Sequence, residues 1–174
     1  AQLRWTGSWY TVFLMLDRRA GKPVDAAFKR TLRAFLERFR LAGYDLEFTD
    51  PAHVPLDIQL QICVASGYFA SDVKSALISA FTATVDRHGR PGFFHPDRYT
   101  FGTPLYLSAV VATAMAVDGV ASVEVRRFQR WGRSAKGEQA AGVIVASPLE
   151  VLRADGDPNF PENGQISFIV EGGS

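Results

Sequence analysis

The side chains able to do chemistry in this 174-residue sequence are few and scattered. A metal site needs converging His, Cys or carboxylate ligands. The three histidines are His53, His88 and His95, and the single cysteine is Cys63. His88 and His95 share one Gly-, Pro- and aromatic-rich loop, residues 86–103, with Asp86 and Asp97. That loop is the one place where a small ligand or a metal is conceivable. No helical His pair and no Cys-x-x-Cys supports it, and loop histidines more often cap backbone groups. Asp155-Gly156-Asp157-Pro158-Asn159 matches the first ligands of a calcium loop. Its sixth position is Phe160 where Gly is needed, and its twelfth is Ile166 where Glu is needed. Turn formation by Asp and Asn side chains explains the stretch better. Cys63 falls inside a strand pattern, where a free cysteine acts as a small hydrophobe. No Gly-x-Ser-x-Gly elbow and no phosphate-binding Gly-rich loop occurs. The sequence therefore predicts no catalytic residue, no cofactor and no metal.

Hydrophobic residues make up 47% and charged residues 21%, as in an ordinary globular protein. The formal net charge of +1 gives no bulk drive toward nucleic acid. The nearest approach to an RNA-recognition motif, Arg90-Pro91-Gly92-Phe93-Phe94, lies in a proline-broken loop and not on a strand. No apolar run approaches the roughly 20 residues of a membrane span. One cysteine excludes a disulfide framework. The opening Ala1-Gln2-Leu3-Arg4-Trp5 lacks a signal-peptide pattern and reads as a chain cut from something longer.

The elements that would position these groups alternate. Trp9–Leu16 reads as a buried strand. Asp25 caps a helix whose apolar face is Phe28, Leu32, Phe35, Leu36 and Phe39, with Gly43 ending it. Tyr44–Phe48 is a short strand. Ile58, Leu60, Ile62 and Val64 alternate with Asp57, Gln59, Gln61 and Cys63, which predicts a strand with one wet or partner-facing side. Ser71 opens a second helix carrying Val73, Leu77, Ile78 and Phe81. Thr103-Pro104 starts a third, nearly all apolar to Met115 and expected to be buried on most sides. Strands follow at Val120–Phe128, near Gly142–Ala146 and at Gln165–Val170. This order predicts an α+β fold: a ferredoxin-like split βαβ sandwich over residues 1–130, with one helical layer on an antiparallel sheet. A β-rich C-terminal extension over 131–174 packs on it.

A surplus of aromatics remains. Trp5 and Trp9 flank a short turn. Phe93, Phe94, Tyr99 and Phe101 crowd the 86–103 loop. Phe128 and Trp131 alternate with Arg126, Arg127, Arg130 and Arg133. Aromatics beside arginine are typical of interface hot spots.

The segments Trp5-Thr6-Gly7-Ser8-Trp9, Gly92-Phe93-Phe94-His95-Pro96-Asp97, Tyr99-Thr100-Phe101-Gly102, Phe128-Gln129-Arg130-Trp131-Gly132 and Asp157-Pro158-Asn159-Phe160-Pro161-Glu162-Asn163-Gly164 resemble the C-terminal part of the baseplate J-like wedge subunits. Those proteins build contractile phage tails and related injection systems. The resemblance implies an excised C-terminal domain of a longer, non-enzymatic protein. Such a protein would be made in the bacterial cytoplasm and built into a tail-like particle. Its implied partners are other wedge subunits and copies of itself, with a homodimer possible for the isolated domain. The implied contact residues are Trp5, Trp9, Phe93, Phe94, His95, Tyr99, Phe101, Arg130, Trp131, Asp157, Asn159 and Phe160. A small ligand- or metal-binding domain using the 86–103 loop is the alternative.

Overall fold

The computed structural model describes residues 1–85, 89–157 and 159–173. The chain divides into two compact units, Ala1–Ala52 and His53–Ser174. This division does not coincide with the one expected after residue 130.

In the first unit, β1 (Gln2–Trp5) pairs antiparallel with β2 (Tyr10–Met15), closing on the Trp5↔Tyr10 pair. The turn between them places Gly7 at φ 100°, a conformation open to glycine at little cost. Helix α1 (Ala26–Leu36) starts at Asp25, whose carboxylate accepts the Phe28 N–H at 2.7 Å, as its sequence position predicts. The helix stops at Leu36, well before the end expected at Gly43. Phe39 N–H closes a separate turn onto the Leu36 carbonyl. β3 (Tyr44–Thr49) then runs parallel to β2, pairing Tyr10↔Tyr44 through Met15↔Thr49. Apolar side chains are plentiful here, yet burial is sparse. Thr11 and Leu46 are the buried described residues of this unit, and α1 buries none of its own.

The second unit is built on β4 (Ala52–Val64), which belongs to it in all but its first residue. The expected alternation is present. Leu56, Ile58, Leu60, Ile62 and Val64 are at most 4% exposed, while Gln59 and Gln61 are half-buried and Cys63 is exposed. Helix α2 (Ala70–Ala80) begins after Phe69, so Ser71 lies within its first turn and does not cap it. The hydroxyl of Ser71 instead donates to the neighbouring Asp72 carboxylate. Thr103-Pro104 leads into a two-residue strand, β5 (Leu105–Tyr106), ahead of α3 (Leu107–Met115). Within α3, Val110 and Ala114 are buried while Ser108, Ala109, Ala112 and Met115 are exposed. The expectation of a helix buried on most sides is thus corrected: small alanines make it apolar in composition without giving it a second packed face.

β6 (Val120–Arg130) lies antiparallel to β4. It leads to the short α4 (Glu138–Ala141) and to β7 (Val143–Ile144), which pairs with β5. β8 (Glu150–Arg153) joins the β4 sheet, and β9 (Gln165–Gly172) pairs parallel with β4 from Asp57↔Gln165 to Val64↔Gly172. Helix α2 packs against β9 and α3 against β6. This is a mixed α+β protein of several sheets. A single antiparallel ferredoxin-like sheet is not what the pairings form. β2 and β3 are parallel neighbours in a three-stranded sheet, and β4 and β9 are parallel neighbours in a four-stranded one.

Gly164 lets the chain turn into β9. It sits at φ 91°, and a Cβ there would lie 2.8 Å from the Leu56 nitrogen and closer still to the Arg153 carbonyl oxygen. Gly164→Ala should therefore destabilise the second unit by about 1–3 kcal/mol through backbone strain alone. Leu60→Ala, at a fully buried site, should cost about 2–5 kcal/mol. Urea denaturation of both variants checks this; a loss in Leu60→Ala of under about 1 kcal/mol would show that β4 is not the centre of the core.

Candidate functional site

The 86–103 loop is decided by packing where the structure describes it. Phe93, Phe94 and Tyr99 are 5–9% exposed; Phe93 and Phe94 pack with Phe81 at ring-centroid separations of 5.3 and 6.1 Å, and Tyr99 packs with Phe93 and Phe94 at 6.0 and 5.9 Å. Phe93 and Phe94 meet edge-to-face at 5.0 Å. Burial pushes the Tyr99 phenol up to about 12. These three rings, expected to reach a partner, join the core of the second unit, where the chain turns back over the end of α2. Gly92 permits that return, since a Cβ there would collide with the Thr82 backbone. Phe101 is half-buried. The half-buried His95 accepts the Asp97 N–H on Nδ1 at 3.3 Å, a turn-capping bond. Asp86 and His88 lie outside the described residues. Among the described residues no group of three His, Cys, Asp or Glu side chains could hold a metal ion.

Asp157 forms the turn read from the sequence. Its carboxylate accepts the Asn159 backbone N–H at 2.9 Å and the Asn159 side-chain amide at 3.1 Å. Phe160 follows, 52% exposed. This leaves Asp157 and Asn159 as residues that shape the turn and Phe160 as the one that projects from it.

In the first unit the exposed aromatics cluster. Trp5 and Trp9 are 58% and 52% exposed across the hairpin turn, which is closed by the Thr6 hydroxyl donating to the Trp9 carbonyl at 2.9 Å. Trp5 meets Tyr10 edge-on at 5.1 Å, and Tyr10 stacks on Tyr44 at 5.9 Å. Beside them Leu3, Val12, Leu14, Leu36, Leu41 and Leu46 line an apolar groove of about 410 Å³. The sequence periodicity marked the helix but not the groove, whose lining is shared among three strands, the helix and the turn beyond it.

On the polar side of β4 a hydrogen-bonded ladder crosses three strands. Arg127 donates to both oxygens of the buried Asp57 at 3.1 and 2.9 Å, and Gln165 donates to one of them at 3.1 Å. Further along, Arg126 Nε donates to Gln61, and Gln61 donates to Glu171 at 2.7 Å. These partners lie 65–110 residues apart in sequence, so only the β4 half of the ladder was legible.

The half-buried Arg130 grips Glu150 at 3.0 and 2.9 Å and also donates to the Val145 carbonyl at 2.8 Å. The Ser147 N–H donates to the same carboxylate at 2.9 Å. Arg130 thus fixes the path of the segment between α4 and β8. Trp131, also half-buried, ties its backbone N–H to the Pro55 carbonyl at 2.9 Å.

Residues 1–49 match the family model described as the baseplate J-like central domain. The matched stretch nearly fills the first compact unit. It supports a baseplate J-like protein, and a baseplate J-like domain suggests a phage baseplate structural role. The matched domain is the central one, so the match does not carry the C-terminal position implied by the resemblance. No curated protein matches the chain.

The Arg130–Glu150 pair gives a pH signature. The Arg130 guanidinium, helped by the Ser147 N–H, holds the Glu150 carboxyl at about 2, below the ordinary value of 4.5. A carboxyl lowered on folding contributes stability that is complete above the ordinary value and fades as pH falls toward the folded one. Thermal unfolding from pH 5 down to about pH 2 should therefore depend less steeply on pH in Glu150→Gln than in the parent. Equal slopes would show that the pair does not act on stability.

Proposed function

We propose that this baseplate J-like chain is an assembly module of a contractile baseplate wedge, held in place by protein–protein contacts and performing no catalysis. The observation that carries the reading is the coincidence of the matched stretch with a unit whose amphipathic helix and aromatic hairpin bury little within the unit itself. A strongly apolar surface of this kind marks interaction sites in native proteins. The second unit, His53–Ser174, is then the domain following the central one, toward the C-terminus of the parent protein. Its contacts would be made by Phe160, Trp131 and the exposed end of the polar ladder, not by the core rings of the 86–103 loop. Partners on this reading are other wedge subunits and further copies of the chain. No helix among the described residues is long and apolar enough to cross a membrane.

Trp9→Ala and Phe160→Ala test the contacts. Both side chains are 52% exposed, so each substitution should change unfolding stability by no more than about 0.5 kcal/mol. Each should weaken incorporation into particles by about 2 kcal/mol or more, a roughly 30-fold shift. Sedimentation of native lysate, probed with an antibody to this chain, reads the result. Signal in heavy particles that drops in the variants is expected; signal only in a small soluble species would overturn the wedge reading.

A further inference from the structure

The segment that follows β6 encloses a cavity of about 420 Å³ lined by Arg130, Arg133, Lys136, Glu138, Val145 and Glu150, among others. Its charges do not cancel locally. Glu150 takes the Arg130 fork and the Ser147 N–H, while Glu138 accepts the Lys136 backbone N–H at 2.6 Å and keeps its charge. Arg130 is likewise engaged. The exposed guanidinium of Arg133 and ammonium of Lys136 form no ion pair among the described residues, although Lys136 feels the field of Glu138. A pocket thus exists whose inner wall is a neutral, rigid ion pair and whose rim sets the two cations Arg133 and Lys136 against the single carboxylate of Glu138. Val145, 64% exposed, adds an apolar surface on the same wall.

We propose that this pocket receives carboxylate side chains from an acidic segment of a partner polypeptide, with Arg133 and Lys136 as the residues that bind them. The inference rests on the assembly reading for the nature of the partner. A guanidinium fork matches a carboxylate in two parallel hydrogen bonds, and an ammonium adds a point charge beside it. The methylene stem of a glutamate finds Val145. Two cations are too few to follow a phosphodiester chain, whose binding draws on many neutralised phosphates.

Fluorescence anisotropy of a labelled Glu-Gly alternating octapeptide titrated with the 174-residue chain tests the proposal. Binding should weaken about tenfold or more in the double variant Arg133→Glu, Lys136→Glu, and should persist in Lys136→Arg. Circular dichroism should show the double variant folded, since both positions are exposed. No binding of the peptide by the parent at about 1 mM, or equal binding by the double variant, would overturn the proposal. So would displacement of the peptide by inorganic phosphate at comparable concentration, which would assign the pocket to a free oxyanion. Particle incorporation measured in parallel separates this proposal from the reading it rests on. A double variant incorporated like the parent overturns the pocket and leaves the wedge standing. A parent that binds the peptide but enters no particle supports the pocket and overturns the wedge.

Discussion

The second unit depends on β4. Its even-numbered residues from Leu56 to Val64 supply an apolar face that shares one core with the buried residues of α2 and α3, and they are sealed from solvent almost completely. Its two edges are both used, by β6 on one side and by β9 on the other. A strand bonded on both edges and packed on one face leaves a single surface for anything else, and that surface carries the ladder from Gln165 through Asp57 to Arg127. Pairing Asp57 so fully satisfies the general requirement that a buried charge be matched by donors. It also fixes how β6 and β9 sit against β4, because a shift of one residue in either strand would separate Asp57 from its donors.

The first unit follows a different economy. Its parallel β2–β3 pair is bridged by one helix, and it gathers aromatic and aliphatic residues without enclosing them. Arginine stems and forks shield part of this surface: Arg18 lies 4.3 Å over the Phe28 ring, and Arg33 5.2 Å over Phe48. Such stacking covers apolar area while keeping charge in water. Arginine suits this contact better than lysine, since its planar guanidinium can lie flat on a ring.

The alternation of β4 and the Asp25 cap were legible because each is a local signal whose period or spacing the backbone imposes. The turn at Asp157 was legible for the same reason. What the sequence could not disclose is pairing. β1, α4 and β8 are too short to leave a periodic signature. The separation into distinct sheets depends on which strand ends meet, and no local pattern records that. The burial of Phe93, Phe94 and Tyr99 was not legible because aromatic crowding is the same in sequence whether it faces inward or outward. Only the return of the chain past Thr82, permitted at Gly92, decides the side. The aromatic interface candidates that are exposed, Trp5, Trp9 and Phe160, sit at tight turns, where a large side chain has little core to reach.

The parallel pairing of β4 with β9 joins residues more than a hundred positions apart, Asp57 with Gln165. Non-local pairings of this kind are slow to form. During synthesis, at about 5–20 residues per second, one edge of β4 stays without its partner for several seconds before β9 leaves the ribosome. An open edge on so apolar a strand is a template for unwanted pairing. The second unit is therefore completed only after residues 165–172 have been made, and nascent chains interrupted before residue 165 would leave that edge of β4 without β9.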